Sequence, residues 1–249
     1  MLKVEGITQN FGGVTALSDV SFSVAKGEIK GVIGPNGAGK TTLFNIISGV
    51  YSQTAGKVFL DHDDVTGLSP EKLALRRMVR TFQNIELFNG LSVLENVMVG
   101  VHTRSRSGVL SCSLKLPRHL KEERAIRETA MDCLKFVGIE DLADMAAESL
   151  PFGKGRMLEI ARAMALDPVI ILLDEPAAGL NSRETTELGR LIGKIRDSGV
   201  TVALVEHDME LVMEICDSIV VLNLGKKLAE GTPREIQENH EVIAAYLGE

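Results

Sequence analysis

Residues 34 to 41, GPNGAGKT, carry the most chemically specific pattern in this chain. They fit G-x-x-x-x-G-K-[ST] and lie between the strand-like EIKGVI and the helix-like TLFNIISG, the setting in which such a loop wraps phosphate. Gly34, Gly37 and Gly39 let backbone N–H groups approach the anion, Lys40 reaches β and γ phosphates, and the Thr41 hydroxyl is a ligand for Mg2+. Pro35, Asn36, Ala38 and Thr42 complete the nucleotide-binding run. In VIILLDEP, residues 169 to 176, an apolar run of parallel-strand type ends in two carboxylates where α/β sheets bind ligands. Asp174 is placed to hold the metal and Glu175 to act as general base on a water. TVALVEHD, residues 201 to 208, is a further buried strand ending in Glu206 and His207, which would emerge on the same sheet edge near a γ-phosphate. Gln83 in RTFQN follows a short strand, and read alone a single glutamine is structural. LPFGKGR, residues 150 to 156, precedes the helical pattern MLEIARAMAL and has two readings. It is either an ordinary loop-to-helix junction or an anion site built from glycine backbone and the first N–H groups of a helix.

The elements that must position these residues follow from length and patterning. A chain of 249 residues with 45% hydrophobic composition can bury a sizeable core as one large domain carrying a lobe. Short strand-like runs alternate with helical ones, which predicts an α/β sheet with crossover helices. LKVEGI, DVSFSV, EIKGVI and KVFL come close together, with turn residues between them, and suggest an antiparallel β layer beside the main sheet. From about residue 88 to 149 the strand signal fades. SVLENVMVG and HLKEERAIRETAMDCLKFVG read there as helices, and the Ser-rich HTRSRSGVLSCSLKLP between them as a long loop.

Composition excludes several classes. A formal charge of −7, 4% aromatic residues and no Trp argue against a nucleic-acid binder and against docking on anionic lipid. Cys112, Cys133 and Cys216 are widely spaced, with no CxxC and no neighbouring His, so neither a disulfide framework nor a zinc site is expected, and a reducing cytoplasm fits. The N-terminus lacks the apolar stretch of a signal peptide, and no apolar run reaches the ~18 residues of a membrane helix. Any membrane role is expected to use another chain. DHDD, residues 61 to 64, reads as a hairpin turn, KEERAIRE as a solvated helix face, and Arg104 with Arg106 as part of a solvated loop.

The phosphate loop, Gln83, LPFGKGR, LLDEP, AAGLN and His207 occur in an order and spacing that resemble those of ATP-binding cassette ATPases, across essentially the whole chain. The resemblance implies an α/β, P-loop NTPase (RecA-like) core with an N-terminal antiparallel β layer and an inserted α-helical subdomain. The chain would be one nucleotide-binding domain, with 1–87 and 150–249 as catalytic core and 88–149 as helical subdomain. By the same resemblance Gln83 contacts Mg2+ and the attacking water, His207 holds the γ-phosphate, Phe11 stacks on adenine, and residues 177 to 181 join two active sites across a dimer. Leu150, Pro151, Phe152, Gly153 and Lys154 align with the signature turn, which binds the γ-phosphate held by the other subunit. The usual Ser, Gly and Gln correspond to Pro151, Phe152 and Lys154, Gly153 is kept, and a usual Asp is Asn181. Losing the serine hydroxyl removes a phosphate donor, leaving the Gly153 N–H, the positive end of the following helix and the Lys154 ammonium.

FGGVTAL, TFQNIELFNGLSVLENVMVG, LPFG, LEIARAM and DEPAAGLN further resemble the ATPase subunits of importers for branched-chain and related hydrophobic amino acids. That implies ATP and Mg2+ as cofactors, a second ATPase subunit in a homo- or heterodimer, two integral membrane permeases, and a periplasmic binding protein met only indirectly. The chain would be cytoplasmic, peripheral to the membrane through the permeases, without contacting the amino acid or nucleic acid. Urea or amide import and lipopolysaccharide extraction are alternatives within transport. A cassette acting on DNA or the ribosome would need a long coiled coil or two cassettes in one chain, and a phosphate-loop kinase or GTPase would not explain the signature turn or His207.

Overall fold

The computed structural model describes residues 1–81, 83, 85–102 and 117–247. Two compact units form, one from Met1–Gln83 with Val169–Glu249 and the other from Asn84–Pro168.

The first unit holds two sheets. β1 (Leu2–Phe11), β2 (Val14–Val24), β4 (Ala55–Leu60) and β5 (Asp63–Asp64) form an antiparallel sheet in the order β2-β1-β4-β5. β1 alternates between buried and more open positions along much of its length, as a sheet with one face on the core requires. The larger sheet runs β10-β9-β3-β8-β7-β6. Its strands are β3 (Ile29–Ile33), β6 (Met78–Arg80), β7 (Ile170–Asp174), β8 (Thr201–Val205), β9 (Ser218–Asn223) and β10 (Lys226–Gly231). All pairs are parallel except the antiparallel edge strand β10 on β9. EIKGVI therefore lies at the centre of the main sheet and not in the antiparallel layer. The reason is burial: all five residues of β3 are inaccessible, which a strand covered on both faces needs and a half-exposed layer does not. The helix α1 (Lys40–Ile47) presents Leu43, Phe44, Ile46 and Ile47 to a core shared with Leu2, Ile7, Phe22, Leu172 and Val205.

Short α2 (Pro70–Leu75) precedes β6. The crossovers α6 (Ser182–Asp197) and α7 (Met209–Ile215) follow β7 and β8, and α8 (Pro233–Gln237) and α9 (His240–Leu247) close the chain. DHDD forms the β4–β5 hairpin, with Leu60 opposite Asp63.

The second unit packs α3 (Val93–His102), α4 (Pro117–Val137) and α5 (Phe152–Met164) against one another. It extends beyond the expected 88–149 because α5, which starts in LPFGKGR, packs on both α3 and α4. Inside it Arg156 and Glu159, one turn apart and both buried, form an ion pair at 2.6 Å. Asn96, fully buried, accepts from the Phe88 N–H at 2.9 Å and donates to the Phe88 and Ser92 carbonyls, shaping the segment before α3. The expected loop from 102 to 117, with Arg104, Arg106 and Cys112, lies almost wholly outside the described residues, as do Phe82 and Asn84.

Candidate active site

The register of the main sheet aligns the candidate residues. Val32 of β3 and Asp174 of β7 both pair with Val205, so the chain leaves three adjacent strands at one edge. Gly34 follows β3, Glu175 follows Asp174 at the end of β7, and Glu206 and His207 follow β8. Gln83 stands three residues beyond β6, the next strand over.

Gly34 has a requirement no other residue meets: at φ 152° a Cβ there would come within 2.2 Å of the Leu222 carbonyl oxygen. Gly39, with φ 101°, is the N-cap of α1 and provides no capping side chain, so the first N–H groups of the helix face a cavity instead. That cavity, of about 500 Å³, is lined by Asn36, Gly37, Lys40, Thr41, Thr42 and Glu175 among others. Lys40 is buried and donates through Nζ to the Gly34 and Pro35 carbonyls at 2.7 and 3.1 Å. Burial pushes its ammonium pKa down, and the nearby Glu175 carboxylate counters the shift. A cavity with backbone donors, one lysine, a threonine hydroxyl and a carboxylate fits a polyphosphate carrying a divalent cation.

Around Glu175 two side chains converge. Gln83 Nε2 donates to Glu175 Oε2 at 2.7 Å, and His207 Nδ1 lies 3.8 Å from the same oxygen. Glu175 sits at φ 46°, a left-handed conformation unusual for a side chain of its kind, with its N–H donating to the Val205 carbonyl at 2.9 Å. Its neighbour Asp174 is buried, and its Oδ2 accepts from Arg80 Nη2 at 2.6 Å. Arg80 Nη1 also donates to Asn45 Oδ1 and Ser48 Oγ, at 2.8 and 2.6 Å, tying the carboxylate to α1.

Two of these connections go beyond the motif residues. Arg80 lies in RTFQ, three residues before Gln83, and a cation ending a buried strand was its only signal. Glu206 is 1% exposed. Its Oε1 accepts from the Ala177 N–H at 2.7 Å, while Oε2 accepts from His207 and Asp208 N–H at 2.9 and 3.2 Å. One carboxylate thus joins the loop after β7 to the loop after β8.

Other expected positions have distinct settings. Phe11 is half-exposed and meets the Tyr51 ring edge-on, centroids 5.9 Å apart, while its cross-strand partner Val14 lines the phosphate-loop cavity with Thr15 and Ala16. Asn181 caps α6: its Oδ1 accepts from Arg183 and Glu184 N–H, both at 3.1 Å, and Glu184 returns the bond to the Asn181 N–H at 3.0 Å. Leu150, Pro151, Phe152, Gly153 and Lys154 belong to the second unit. There Pro151 is the N-cap of α5 without a side-chain bond, its carbonyl accepts from the Gly155 N–H at 3.0 Å, and Phe152 is exposed. Burial pushes the Tyr246 phenol of α9 up, an effect partly countered by the Gly34 backbone.

The fold and this sheet edge define a nucleotide-hydrolysing cassette, and the family profile described as ABC transporter matches residues 17–178. The chain belongs to the ABC transporter family, as an ATP-binding, ATP-hydrolysing cassette. A second profile, described as branched-chain amino acid ATP-binding cassette transporter, matches residues 226–249. The chain is similar to the high-affinity branched-chain amino acid transport ATP-binding protein BraF of Pseudomonas aeruginosa, 46% identical over all of this chain and 98% of the relative. It is similar to LivG of Escherichia coli, a protein of the same description, at 43% over all of this chain and 98% of that one. Among solved structures it resembles the ADP conformation of MJ1267, an ATP-binding cassette of an ABC transporter, with a TM-score of 0.85 and 32% identity over 100% of this chain and 99% of that one. Among the described residues no helix is long and apolar enough to cross a membrane.

Proposed function

We propose that this chain is the ATP-hydrolysing subunit of an importer for branched-chain or other hydrophobic amino acids. It would act in an ATP-sandwiched dimer beneath two permeases at the cytoplasmic face of the membrane. The observation that carries the hydrolytic reading is the convergence of Gln83 and His207 on Glu175, at the rim of a cavity that also holds Lys40 and Thr41. The amino-acid reading rests on the full-length similarity to BraF and LivG and on the match over 226–249, which favour it over urea import or lipopolysaccharide extraction.

In this reading Lys40 exchanges its two carbonyl acceptors for β- and γ-phosphate oxygens, and backbone N–H groups of the loop and the start of α1, among them Gly37, Gly39, Lys40 and Thr41, take the remaining phosphate charge. Thr41, Gln83 and Asp174 would hold Mg2+, which when bound would neutralise charge on the phosphates. Glu175 accepts a proton from the water that adds to the γ-phosphorus as the bond to the ADP oxygen breaks. Gln83 orients that water and His207 donates to the γ-phosphate. Leu150, Pro151, Phe152, Gly153 and Lys154 of each subunit face the γ-phosphate held by the other, through the Gly153 N–H, the start of α5 and the Lys154 ammonium. Phe11 stacks on the base.

Glu175→Gln tests the assignment. Hydrolysis at saturating Mg-ATP should fall by about 10²–10⁴-fold with ATP binding retained and the ATP-bound dimer longer lived. Near-normal turnover would remove Glu175 from the role. In proteoliposomes containing the permeases and binding protein, leucine and not urea should stimulate ATP hydrolysis.

A further inference from the structure

The connection from β9 to β10 is a two-residue hairpin turn, Leu224-Gly225, with Asn223 paired to Lys226. Both turn residues have positive φ, 46° and 77°, the pattern of a type I′ turn, for which Asn-Gly and Asp-Gly are the favoured pairs. A leucine there brings its Cβ into the left-handed region with no side-chain oxygen to offset the strain. The turn itself is fixed in place. The Gly225 N–H donates to the Ala38 carbonyl of the phosphate loop at 3.1 Å, and the Gly225 carbonyl accepts from the Ser18 N–H at 2.8 Å. A Cβ at Gly225 would approach the Ala16 carbonyl oxygen to 2.6 Å. Leu224 is thus held beside the phosphate loop whatever its own preference.

Leu224 is 84% exposed, and it lines the phosphate-loop cavity together with Val14, itself 68% exposed. Two unfavourable features therefore coincide at one residue: a left-handed backbone and a solvated leucine side chain. An asparagine would relieve both, and at 84% exposure the described residues cover little of the leucine side chain. Compensation is available from a ligand that covers the side chain. With phosphates on the loop, the part of a nucleotide left to reach the rim of this cavity is the nucleoside, whose base and ribose carry apolar surface.

We propose that Leu224 is a nucleotide-contact residue whose side chain packs on the nucleoside moiety of the bound nucleotide. Val14 lies on the same rim, so base and ribose are gripped by aliphatic surface in addition to Phe11. This rests on the reading that residues 34–42 hold the phosphates, and the test separates the two.

Titration calorimetry on the full chain would compare ADP with inorganic tripolyphosphate, which has phosphates and no nucleoside. Leu224→Asn should raise the ADP dissociation constant about tenfold, since burying a leucine side chain is worth at least that factor. Tripolyphosphate affinity should stay unchanged, and the thermal midpoint of the unliganded variant should rise by a few degrees because asparagine suits the turn. Leu224→Met, which restores an apolar side chain, should keep ADP binding within about twofold of the original. Unchanged ADP affinity in Leu224→Asn would overturn the proposal. So would an equal loss for ADP and tripolyphosphate, or a lowered thermal midpoint, either of which would mean that the turn had been distorted. If the unsubstituted chain binds neither ligand, the phosphate-loop reading fails and the proposal falls with it.

Discussion

Replacing Arg80 with methionine should destabilise the protein more than any of the motif substitutions, although its own position carries no motif role. The side chains of Arg80 and Asp174 are 6% and 7% exposed, and the guanidinium serves Asp174, Asn45 and Ser48 at 2.6 to 2.8 Å. Methionine fills much of the same volume but leaves a carboxylate enclosed without its cation. Removing one partner of such a buried pair costs about 3–5 kcal/mol, whereas replacing both partners is often close to neutral. At about 2–4 °C per kcal/mol for a chain of this size, the thermal midpoint without nucleotide should drop by about 6–20 °C. The double variant Arg80→Met/Asp174→Asn separates charge from packing. It abolishes the proposed metal ligand, so its activity is uninformative, but its stability should recover by at least about 1.5 kcal/mol over Arg80→Met alone. Melts followed by circular dichroism, in the absence of Mg2+ and nucleotide, give all the corners of the cycle. A loss below about 1 kcal/mol in the single variant, or a double variant as unstable as the sum of the two singles, would refute the argument.

Glu206→Gln leaves one acceptor oxygen where two now serve three backbone N–H groups, so a loss of about 1–3 kcal/mol is expected in urea unfolding. Hydrolysis should fall with it, because Ala177 and His207 lose a shared anchor; full activity at reduced stability would uncouple the two loops. The buried Cys216 thiol is pushed from 9.0 to about 12, first by burial and then by Asp217, Glu206 and Glu28. Because the folded value is the higher one, stability from the neutral thiol is complete below about pH 9 and is lost as pH rises toward about 12. Cys216→Ala should therefore flatten the fall in unfolding free energy between pH 8.5 and 10.5, and an unchanged slope would assign that fall to other groups.

Where the motif residues lie in the fold was legible because each is announced locally. A phosphate loop needs its glycines and lysine within eight positions, and an apolar strand ending in two acids shows where Asp174 and Glu175 emerge. The support beneath them was not legible, because its partners are far apart in the chain: Arg80 and Asp174 are 94 residues apart, and Glu206 and Ala177 29. EIKGVI reads into the antiparallel layer and folds into the main sheet for a related reason, since a short apolar run does not say which strands will cover it. The extent of the helical unit followed from the packing of α5 on α3 and α4, which its own periodicity does not encode. Leu224 did leave a trace: LNLGKKL has a leucine where a two-residue hairpin favours Asn or Asp before Gly. A violated local rule was the signal, and the sheet edge was needed to interpret it.

Two buried charges make the site a single assembly. Arg80 connects Asp174 to Asn45 and Ser48 at the far end of the helix that begins at Lys40, so the end of β7 and the phosphate loop share one ion-paired support. Glu206 connects Ala177, two residues beyond Glu175, to the backbone of His207, so the loops carrying the proposed base and the proposed γ-phosphate donor are held from one carboxylate. Gln83 differs. It is exposed, and it donates to Glu175 from the last position of the first unit, where the chain passes to the helical unit at Asn84. Asp174 and Lys40, by contrast, are buried and held by Arg80 and by the Gly34 and Pro35 carbonyls.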